Sequence, residues 1–474
     1  MPLIKRVQNM QLRFHNTLTK SKDVLHTREE RKVNMFVCGP TVYDFSHLGH
    51  AKTYVQFDLL ARVMRVAGYD VFYLQNITDI DDKIIERAKE SGLDWRSLSE
   101  QFETEYHQDM GTLNVTAVSQ HARATDYIQN IIRQVQTLLE KGHAYVIEGD
   151  GIYFEISTFA DYGKLSGRTE LKANDAQTRI DQSDNKRGWN DFALWKFRKS
   201  DEPSWPAPFG EGRPGWHIED TAITEHFFGP QYDIHGGAID LIFPHHEAEL
   251  TQMESASGEQ PFVGCWMHAG FLTIDGEKMS KSTGNFFTIR EIVERGYDPM
   301  AIRLLMLQTH YRSSINFTFE NLEAAQNRLR HWRAIASLRH QVHDRLRDDD
   351  EKALDGVSPY ASAHAVVEAL TDDLNTPEAF RIIEEMFSKL GDAPREAIHR
   401  HALITFLETL DDTLGLQLME STPDIDDAIK QRILERERVR EEKDWSRSDT
   451  LRDEIEAKGV LLKDTADGTT WEYK

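Results

Sequence analysis

The sequence is poor in cysteine, since Cys38 and Cys265 are the only two among its 474 residues. Two cysteines cannot form a disulfide framework, which excludes the class of small secreted proteins that disulfides hold together. No apolar run reaches the length of a membrane span. The opening segment, MPLIKRVQNMQLRF, lacks the apolar region of a signal peptide. We therefore expect a cytoplasmic protein with no membrane segment.

Basic residues are also a minority, because 56 lysines and arginines face 79 aspartates and glutamates, for a net charge of −23. General nucleic-acid binders are usually basic, so the overall charge does not predict one. An RNA substrate would have to be held by local basic segments on an acidic body. The length is sufficient for two to four domains with a well-developed core.

Residues 33–66 combine a strand pattern with a helix pattern. Residues 33–37 are apolar and β-prone, and the breaker sequence CGP follows, beginning at Cys38. The motif HLGH, from His47 to His50, then precedes apolar residues at helical spacing. Strand, turn and helix predict the start of a βαβ unit. Cys38 would lie at the carboxyl end of a parallel strand, where open α/β sheets bind ligands, and the two histidines at a helix N-terminus, which favours a bound anion.

A second motif, KMSKS, lies more than two hundred residues later and includes Lys278 and Lys281. A given pentapeptide occurs by chance in a chain of this length in roughly one case in several thousand, at average residue frequencies. HLGH after an early strand, with KMSKS far downstream, resembles the signature of class I aminoacyl-tRNA synthetases.

Further motifs narrow the resemblance. CGPTVYD, NITDIDDKI, GRPGWHIE and DIHGGAIDLIFPHHEAE, with KDW and GTTW near the C-terminus, resemble the cysteinyl-tRNA synthetase family nearly end to end. The resemblance implies an α/β fold: a Rossmann-type parallel-sheet catalytic domain with an inserted α+β subdomain, a helical bundle and a small C-terminal α+β anticodon-binding domain.

We expect five segments along the chain. Short β-like runs such as GIYFEI and FALWKF between residues 145 and 215 indicate an insertion. The predicted segments are the first half of the catalytic domain (1–115), a connective insertion (116–230), the second half with the KMSKS loop (231–290), a stem-contact and helical-bundle tRNA-binding domain (291–420), and the anticodon-binding domain (421–474).

Two local patterns lie in the C-terminal part. Asn375, followed by threonine and proline, is a helix-start signal. A charged helix is predicted from Asp427 to Lys458, and the following residues predict a hairpin that turns at Asp467 and Gly468.

A metal-ligand pattern is present around FPHHEAE, where a helix is predicted to begin at Pro244. His245 and Glu249 are four residues apart and share one helix face. With Cys38 they offer imidazole, carboxylate and thiolate, all of which bind zinc. Packing or phosphate contact would account for the histidines equally well without a metal.

The resemblance implies a zinc site at Cys38, Asp220, His245 and Glu249. At the second position the family has a cysteine, so Asp220 is a departure that preserves the charge but makes the site harder. Three alternatives stay open: four ligands, three ligands with weaker binding, or no metal. We favour a zinc ion with Asp220 among its ligands, which would separate cysteine from serine by preferring the thiol.

The reaction implied by the resemblance joins ATP and L-cysteine into cysteinyl-adenylate and then transfers the acyl group to the 3′ end of tRNA(Cys). His47 and His50 would donate hydrogen bonds to the reacting phosphate. Lys278 and Lys281 would neutralise the departing pyrophosphate, Lys281 above all. Magnesium would arrive with ATP.

The same resemblance implies the binding residues. The ATP-binding set is Gly49, Gly236, Gly237, Asp240 and Lys281, with Asp240 contacting the ribose. Thr41 and Trp216 would line the amino-acid pocket. The resemblance also implies a monomeric protein without membrane contact.

Three competing functions stay open at this level. One is a related ligase that joins cysteine to a small amine; the anticodon-binding end argues for tRNA instead. Another is a paralogue that activates a different amino acid, which only Asp220 suggests. The third is a non-catalytic RNA-binding protein on the same scaffold, and the intact HLGH and KMSKS motifs argue against it.

Overall fold

The computed structural model of the chain describes residues 10–168, 185–279, 284–342, 354, 356–465 and 468–474. They form two compact units, one of residues 11–294 with 311–316 and the other of residues 10, 295–310 and 317–474. In the described parts of the chain, no helix combines the length and apolar character needed to cross a membrane.

A five-stranded parallel sheet is the centre of the first unit. Its strands are β3 (Lys32–Val37), β4 (Asp70–Ile77), β5 (Gln120–Arg123), β10 (Tyr232–Ala238) and β11 (Val263–Ala269). Their order is β11-β10-β3-β4-β5, and all neighbours run parallel. The predicted Rossmann-type parallel sheet is confirmed. Strand β3 has β4 on one side and β10 on the other, so the order in which strands are added to the sheet reverses at β3. Such a reversal opens a crevice at the carboxyl ends of the strands.

Helix α1 (Leu48–Val66) follows β3 and packs its apolar side on the sheet. His47 is its N-cap, as the sequence predicts for the start of this helix. The other helices of this unit are α2 (Asp82–Ser91), α3 (Trp95–Thr112), α4 (Ile128–Glu140), α5 (Trp216–Phe228), α6 (Glu247–Ser257) and α7 (Ile289–Glu294).

Three smaller sheets complete the first unit. Strands β6 (Ala144–Ile147), β7 (Gly151–Phe154), β8 (Phe192–Phe197) and β9 (Gly212–Pro214) form an antiparallel sheet. Strands β1 (Arg13–Asn16) and β2 (Ser21–Val24) form a hairpin. Strands β12 (Leu272–Ile274), β13 (Glu277–Lys278) and β14 (Ile315–Phe317) form the third sheet.

The domain boundaries stay predictions, although β5 belongs to the central sheet and lies beyond residue 115.

The second unit is mostly helical. Its helices are α8 (Pro299–Leu307), α9 (Phe319–Ser337), α10 (Pro359–Thr371), α11 (Thr376–Asp392), α12 (Arg400–Leu414), α13 (Asp427–Glu441) and α14 (Trp445–Glu456). Trp332 packs between Phe380 and Phe387, with ring centroids 5.4 Å from each. Asn375 caps α11 by accepting a hydrogen bond from the amide of Glu378, which confirms that helix start.

The prediction of one helix from Asp427 to Lys458 is wrong. The structure has two helices, because Lys443 adopts a positive φ of 65° and Asp444 begins α14 by accepting from the amide of Arg447 at 3.1 Å. Strands β15 (Val460–Thr465) and β16 (Gly468–Tyr473) pair antiparallel as the predicted hairpin. Of its predicted turn residues, Asp467 lies outside the described residues.

Candidate active site and metal centre

Four potential metal ligands from three separate segments meet at the carboxyl end of β3. Cys38 follows β3, Asp220 lies in α5, His245 precedes α6 and Glu249 lies in its first turn. The Nε2 atom of His245 is 3.5 Å from Sγ of Cys38, 3.1 Å from Oδ2 of Asp220 and 3.1 Å from Oε1 of Glu249. All four side chains are buried. The structure therefore brings together residues up to 211 positions apart in sequence.

The helix that carries two of these residues begins later than the sequence predicts. Residues 242–246 form a kinked turn in which Phe243 is extended (φ −137°, ψ 129°), and the regular helix α6 starts at Glu247 rather than at Pro244. His245 thus lies in the turn, but its ring still reaches Glu249.

The donor atoms fit a metal ion. Atoms bound to a tetrahedral zinc ion at about 2.0–2.3 Å lie about 3.3–3.8 Å from one another, close to the three separations measured from His245. Oδ1 of Asp220 and both carboxylate oxygens of Glu249 are buried and accept no hydrogen bond from the described residues. Each such atom costs about 1–3 kcal/mol, and a cation would offset that cost.

The electrostatics of the cluster point the same way. Burial raises the pKa of the Cys38 thiol well above its usual value, and the neighbouring carboxylates of Asp220 and Glu249 raise it further. Burial and then Asp220 likewise raise the pKa of Glu249. Without a cation the site therefore favours protonated groups, whereas a metal ion would stabilise the thiolate and the carboxylates.

The ring of His245 is held on two sides. The indole of Trp216 stacks on it with ring centroids 4.1 Å apart and an interplanar angle of 12°. Its Nδ1 lies 2.7 Å from Nδ1 of His217. This contact fixes the orientation of the ring, so that Nε2 of His245 faces the Cys38 sulfur and the two carboxylates.

Two more histidines lie against Glu249 and a third lies behind them, and none of the three is a predicted ligand. Nε2 of His235 is 3.6 Å from Oε2 of Glu249, and Nε2 of His246 is 4.0 Å from Oε1. His246 contacts His268 through a 2.8 Å hydrogen bond. Burial lowers the pKa of all three rings, that of His268 to about 3. His235 lies on β10, His246 in the FPHH motif and His268 on β11. Only the pairing of β10 with β11 brings them together.

The segment that follows the KMSKS motif contacts the HLGH turn. The amide of Leu48 donates to the carbonyl of Phe287 at 3.1 Å, and that of Ile289 donates to Ser46 at 3.1 Å. The segment after KMSKS thus runs along the HLGH turn. The rings of His47 and His50 stack with centroids 3.8 Å apart.

Each of these two histidines also accepts a backbone hydrogen bond from the other, which caps α1. Burial, then His47 and Lys83, lower the pKa of His50. The pair is thus fixed at a helix N-terminus, as predicted, with His50 neutral.

The remaining predicted residues have simpler surroundings. Lys278 is exposed at the end of β13, and Lys281 lies outside the described residues. Asp240 is exposed in a short 3-10 turn. Thr41 bridges to Thr78 beside the end of β4.

Close packing requires glycine at both glycine positions of HGG. A Cβ on Gly236 would collide with the ring of Phe57, and one on Gly237 would lie 2.7 Å from the ring of His246. Their predicted approach to adenosine is untested by this packing.

Comparisons with known proteins identify the family. A profile described as the class I (C) tRNA synthetase catalytic domain matches residues 24–327, and one described as the cysteinyl-tRNA ligase anticodon binding domain matches residues 422–471. A cysteine–tRNA ligase of Laribacter hongkongensis is 42% identical over 97% of this chain and 99% of its own. One of Thermococcus onnurineus is 41% identical over 98% and 99%.

The chain belongs to the cysteine–tRNA ligase family of class I tRNA synthetases. Solved structures of other class I enzymes share its fold. Methionyl-tRNA synthetase of Mycobacterium tuberculosis, in complex with methionyl-adenylate, has a TM-score of 0.60 at 16% identity and covers 82% of this chain and 92% of its own. The Agrobacterium radiobacter LeuRS in a ternary complex with tRNA and LeuAMS has a TM-score of 0.61 at 11% identity, with 84% and 85% covered.

Proposed function

We propose that this family member is a cysteine–tRNA ligase that activates L-cysteine with ATP and transfers it to the 3′ end of tRNA(Cys). The observation that carries the proposal is the full-length similarity to ligases of that name, which includes an anticodon-binding segment. A ligase that joins cysteine to a small amine would have no use for that segment. The protein acts as a monomer.

The ATP site is built from the two signature motifs. His47 and His50 donate hydrogen bonds to the reacting phosphate from the N-terminus of α1, where the helix dipole also favours the anion. Lys278 and Lys281 neutralise the pyrophosphate, and magnesium accompanies ATP. The backbone at Gly49 and at Gly236 approaches the nucleotide.

Two further residues complete the nucleotide site: Gly237, and Asp240, whose exposed carboxylate binds the ribose.

The amino-acid site includes a zinc ion at Cys38, Asp220, His245 and Glu249. Bound zinc supplies a partner that prefers a thiol over the hydroxyl of serine. The support for this set is the convergence of one thiol, one imidazole and two carboxylates, with buried oxygen atoms that lack hydrogen bonds.

The walls of this pocket have separate tasks. Trp216 holds the ring of His245 by stacking, and Thr41 lines the side of the pocket beside β4. Because neither side chain carries a charge, both shape the pocket, and the metal site discriminates cysteine from serine.

Pyrophosphate exchange with cysteine and with serine, followed by charging of a tRNA(Cys) transcript, tests the proposal. We expect exchange with cysteine and charging in the purified protein. His47→Ala and Lys278→Ala should each lower exchange by about 10²-fold or more, since each removes a donor to developing charge. Cys265→Ser, outside the site on β11, is the matched control and should leave both activities unchanged.

Each other outcome identifies an alternative. Exchange with cysteine but no charging would point to a small-amine acceptor. Exchange with a different amino acid would point to an altered pocket. Binding of tRNA with no exchange for any amino acid would contradict an enzymatic role.

A further inference from the structure

The donor cluster contains a single sulfur atom. Cys265 is the only other cysteine of the sequence, and it lies on β11 opposite Ile234. Among the described residues, none of the groups able to hold a metal includes Cys265. Cys38 lies within ligand-forming distance of His245 and His246, and Asp220 of His245 and Glu249, so His245 joins the single thiol to the two carboxylates.

Asp220 is fixed in this cluster from both sides along α5. Its neighbour Glu219 accepts a 2.9 Å hydrogen bond from Thr78, and Thr221 donates a 2.6 Å hydrogen bond to Gln134. Asp220 is fully buried, and its Oδ2 atom and Sγ of Cys38 lie 3.1 and 3.5 Å from the same Nε2 atom of His245. The sulfur of Cys38 and a carboxylate oxygen of Asp220 thus face the same imidazole nitrogen.

This composition bears on oxidation. When two thiols join into a disulfide, they lose two electrons and two protons to the oxidant, and both stop being metal ligands. A carboxylate cannot take part in that step. Within the chain only Cys265 remains as a partner, and it lies on β11, with β10 between that strand and β3. A disulfide with another chain or a small thiol would need access to Cys38, which is only 5% exposed.

We propose that Asp220 makes this a one-thiolate metal centre that disulfide-forming oxidants cannot empty. The proposal rests on the metal site of the proposed function but not on its reaction. It concerns a property set by this chain's own residue at position 220, since a thiol there would place a second sulfur against the same imidazole of His245 that Cys38 contacts, and so supply a partner for a disulfide.

Metal release under oxidation is the direct test. Zinc-loaded full-length protein is treated with diamide, an azo compound that takes up the two electrons and two protons, and released zinc is followed with a colorimetric chelator. We expect the wild-type protein and Cys265→Ser to retain zinc. Asp220→Cys should release it at least about tenfold faster, with one disulfide formed per chain, and Asp220→Cys combined with Cys265→Ser should behave the same way.

Cobalt provides an independent readout of the ligand set. Co²⁺ bound to thiolate absorbs through sulfur-to-metal charge transfer, whose intensity rises with the number of sulfur ligands. We expect one Co²⁺ per wild-type chain with a band that about doubles in Asp220→Cys and disappears in Cys38→Ser. Asp220→Asn should weaken Co²⁺ binding by at least about tenfold, a loss that replacement of even an indirect partner can cause.

Three results would overturn the proposal. These are failure of the wild-type protein to take up one Co²⁺ per chain, unchanged affinity in Asp220→Asn, and loss of zinc from the wild-type protein to diamide as fast as from Asp220→Cys. No arm contains substrate or tRNA, so a failure of cysteine activation would leave these results interpretable. Circular dichroism of each variant separates loss of a ligand from loss of the fold.

Discussion

A buried lysine beside the signature histidines gives the sharpest test of the energetics. Lys52 lies on α1, two residues after HLGH, and only 1% of it is exposed. Its Nζ atom has no hydrogen-bond partner among the described residues. Burial lowers the pKa of Lys52 from 10.5 to about 8. At neutral pH the folded protein thus holds an ammonium group that would be more stable in water.

The cost of this charge follows from the change in pKa. The difference between 10.5 and about 8 corresponds to about 3 kcal/mol. Below pH 8 the lysine is charged in both the folded and the unfolded chain, so the full cost opposes folding. Between pH 8 and 10.5 the folded chain releases the proton first, and the cost disappears as the pH rises. Lys52→Met keeps most of the side-chain volume and removes the charge.

We therefore expect Lys52→Met to raise the free energy of unfolding by up to about 3 kcal/mol at pH 7, and by much less at pH 10. Urea titrations at both values measure the difference. Lys89→Met, on the exposed side of α2, is the control and should stay within about 0.5 kcal/mol at each pH. A variant less stable than the wild type at pH 7, or a gain that does not depend on pH, would refute the reasoning.

Three further predictions concern buried groups in the first unit. Burial raises the pKa of Asp79 to about 6, so the free energy of unfolding falls as the pH rises from 4 to 6. Asp79→Asn should reduce this pH dependence, as measured by urea midpoints across that range. Trp216→Leu removes the ring stacked on His245 and should weaken zinc binding about tenfold in chelator competition, with unchanged circular dichroism. Glu247 accepts hydrogen bonds from amides within residues 163–166; Glu247→Gln should lower stability by about 2 kcal/mol and speed exchange of those amides.

The parallel sheet could be predicted because its signals are local. The apolar residues 33–37, the breaker after them and the capped helix from Leu48 each indicate their own structure, and their succession determines the unit. The helix break at Lys443 is different. Charged residues continue across it without a change of pattern, and only the capping carboxylate of Asp444 distinguishes the start of α14. A local signal that small is outweighed by helical periodicity on both sides.

The four proposed ligands could be named from the sequence only because the family resemblance supplied their partners. Spacing alone joins His245 to Glu249, since they lie within one helical turn. Cys38 approaches them because β3 and β10 pair in parallel, which no local pattern specifies. His235 of β10 also lies against Glu249, and sequence periodicity cannot distinguish that histidine from an ordinary buried strand residue.

The chemical softness of the proposed metal site follows from the sequence, whereas its geometry follows only from the structure. The sequence alone shows that the side chain at position 220 carries oxygen, so Cys38 is the single sulfur among the four proposed ligands. It cannot say whether Asp220 reaches the metal. The structure provides the missing part, because Oδ2 of Asp220 and Oε1 of Glu249 each lie 3.1 Å from the same nitrogen of His245. A carboxylate that is buried, close to the other proposed ligands and with one oxygen lacking a hydrogen bond supports the proposal that Asp220 is a ligand, and the proposed resistance to oxidation would then follow from the composition of the site.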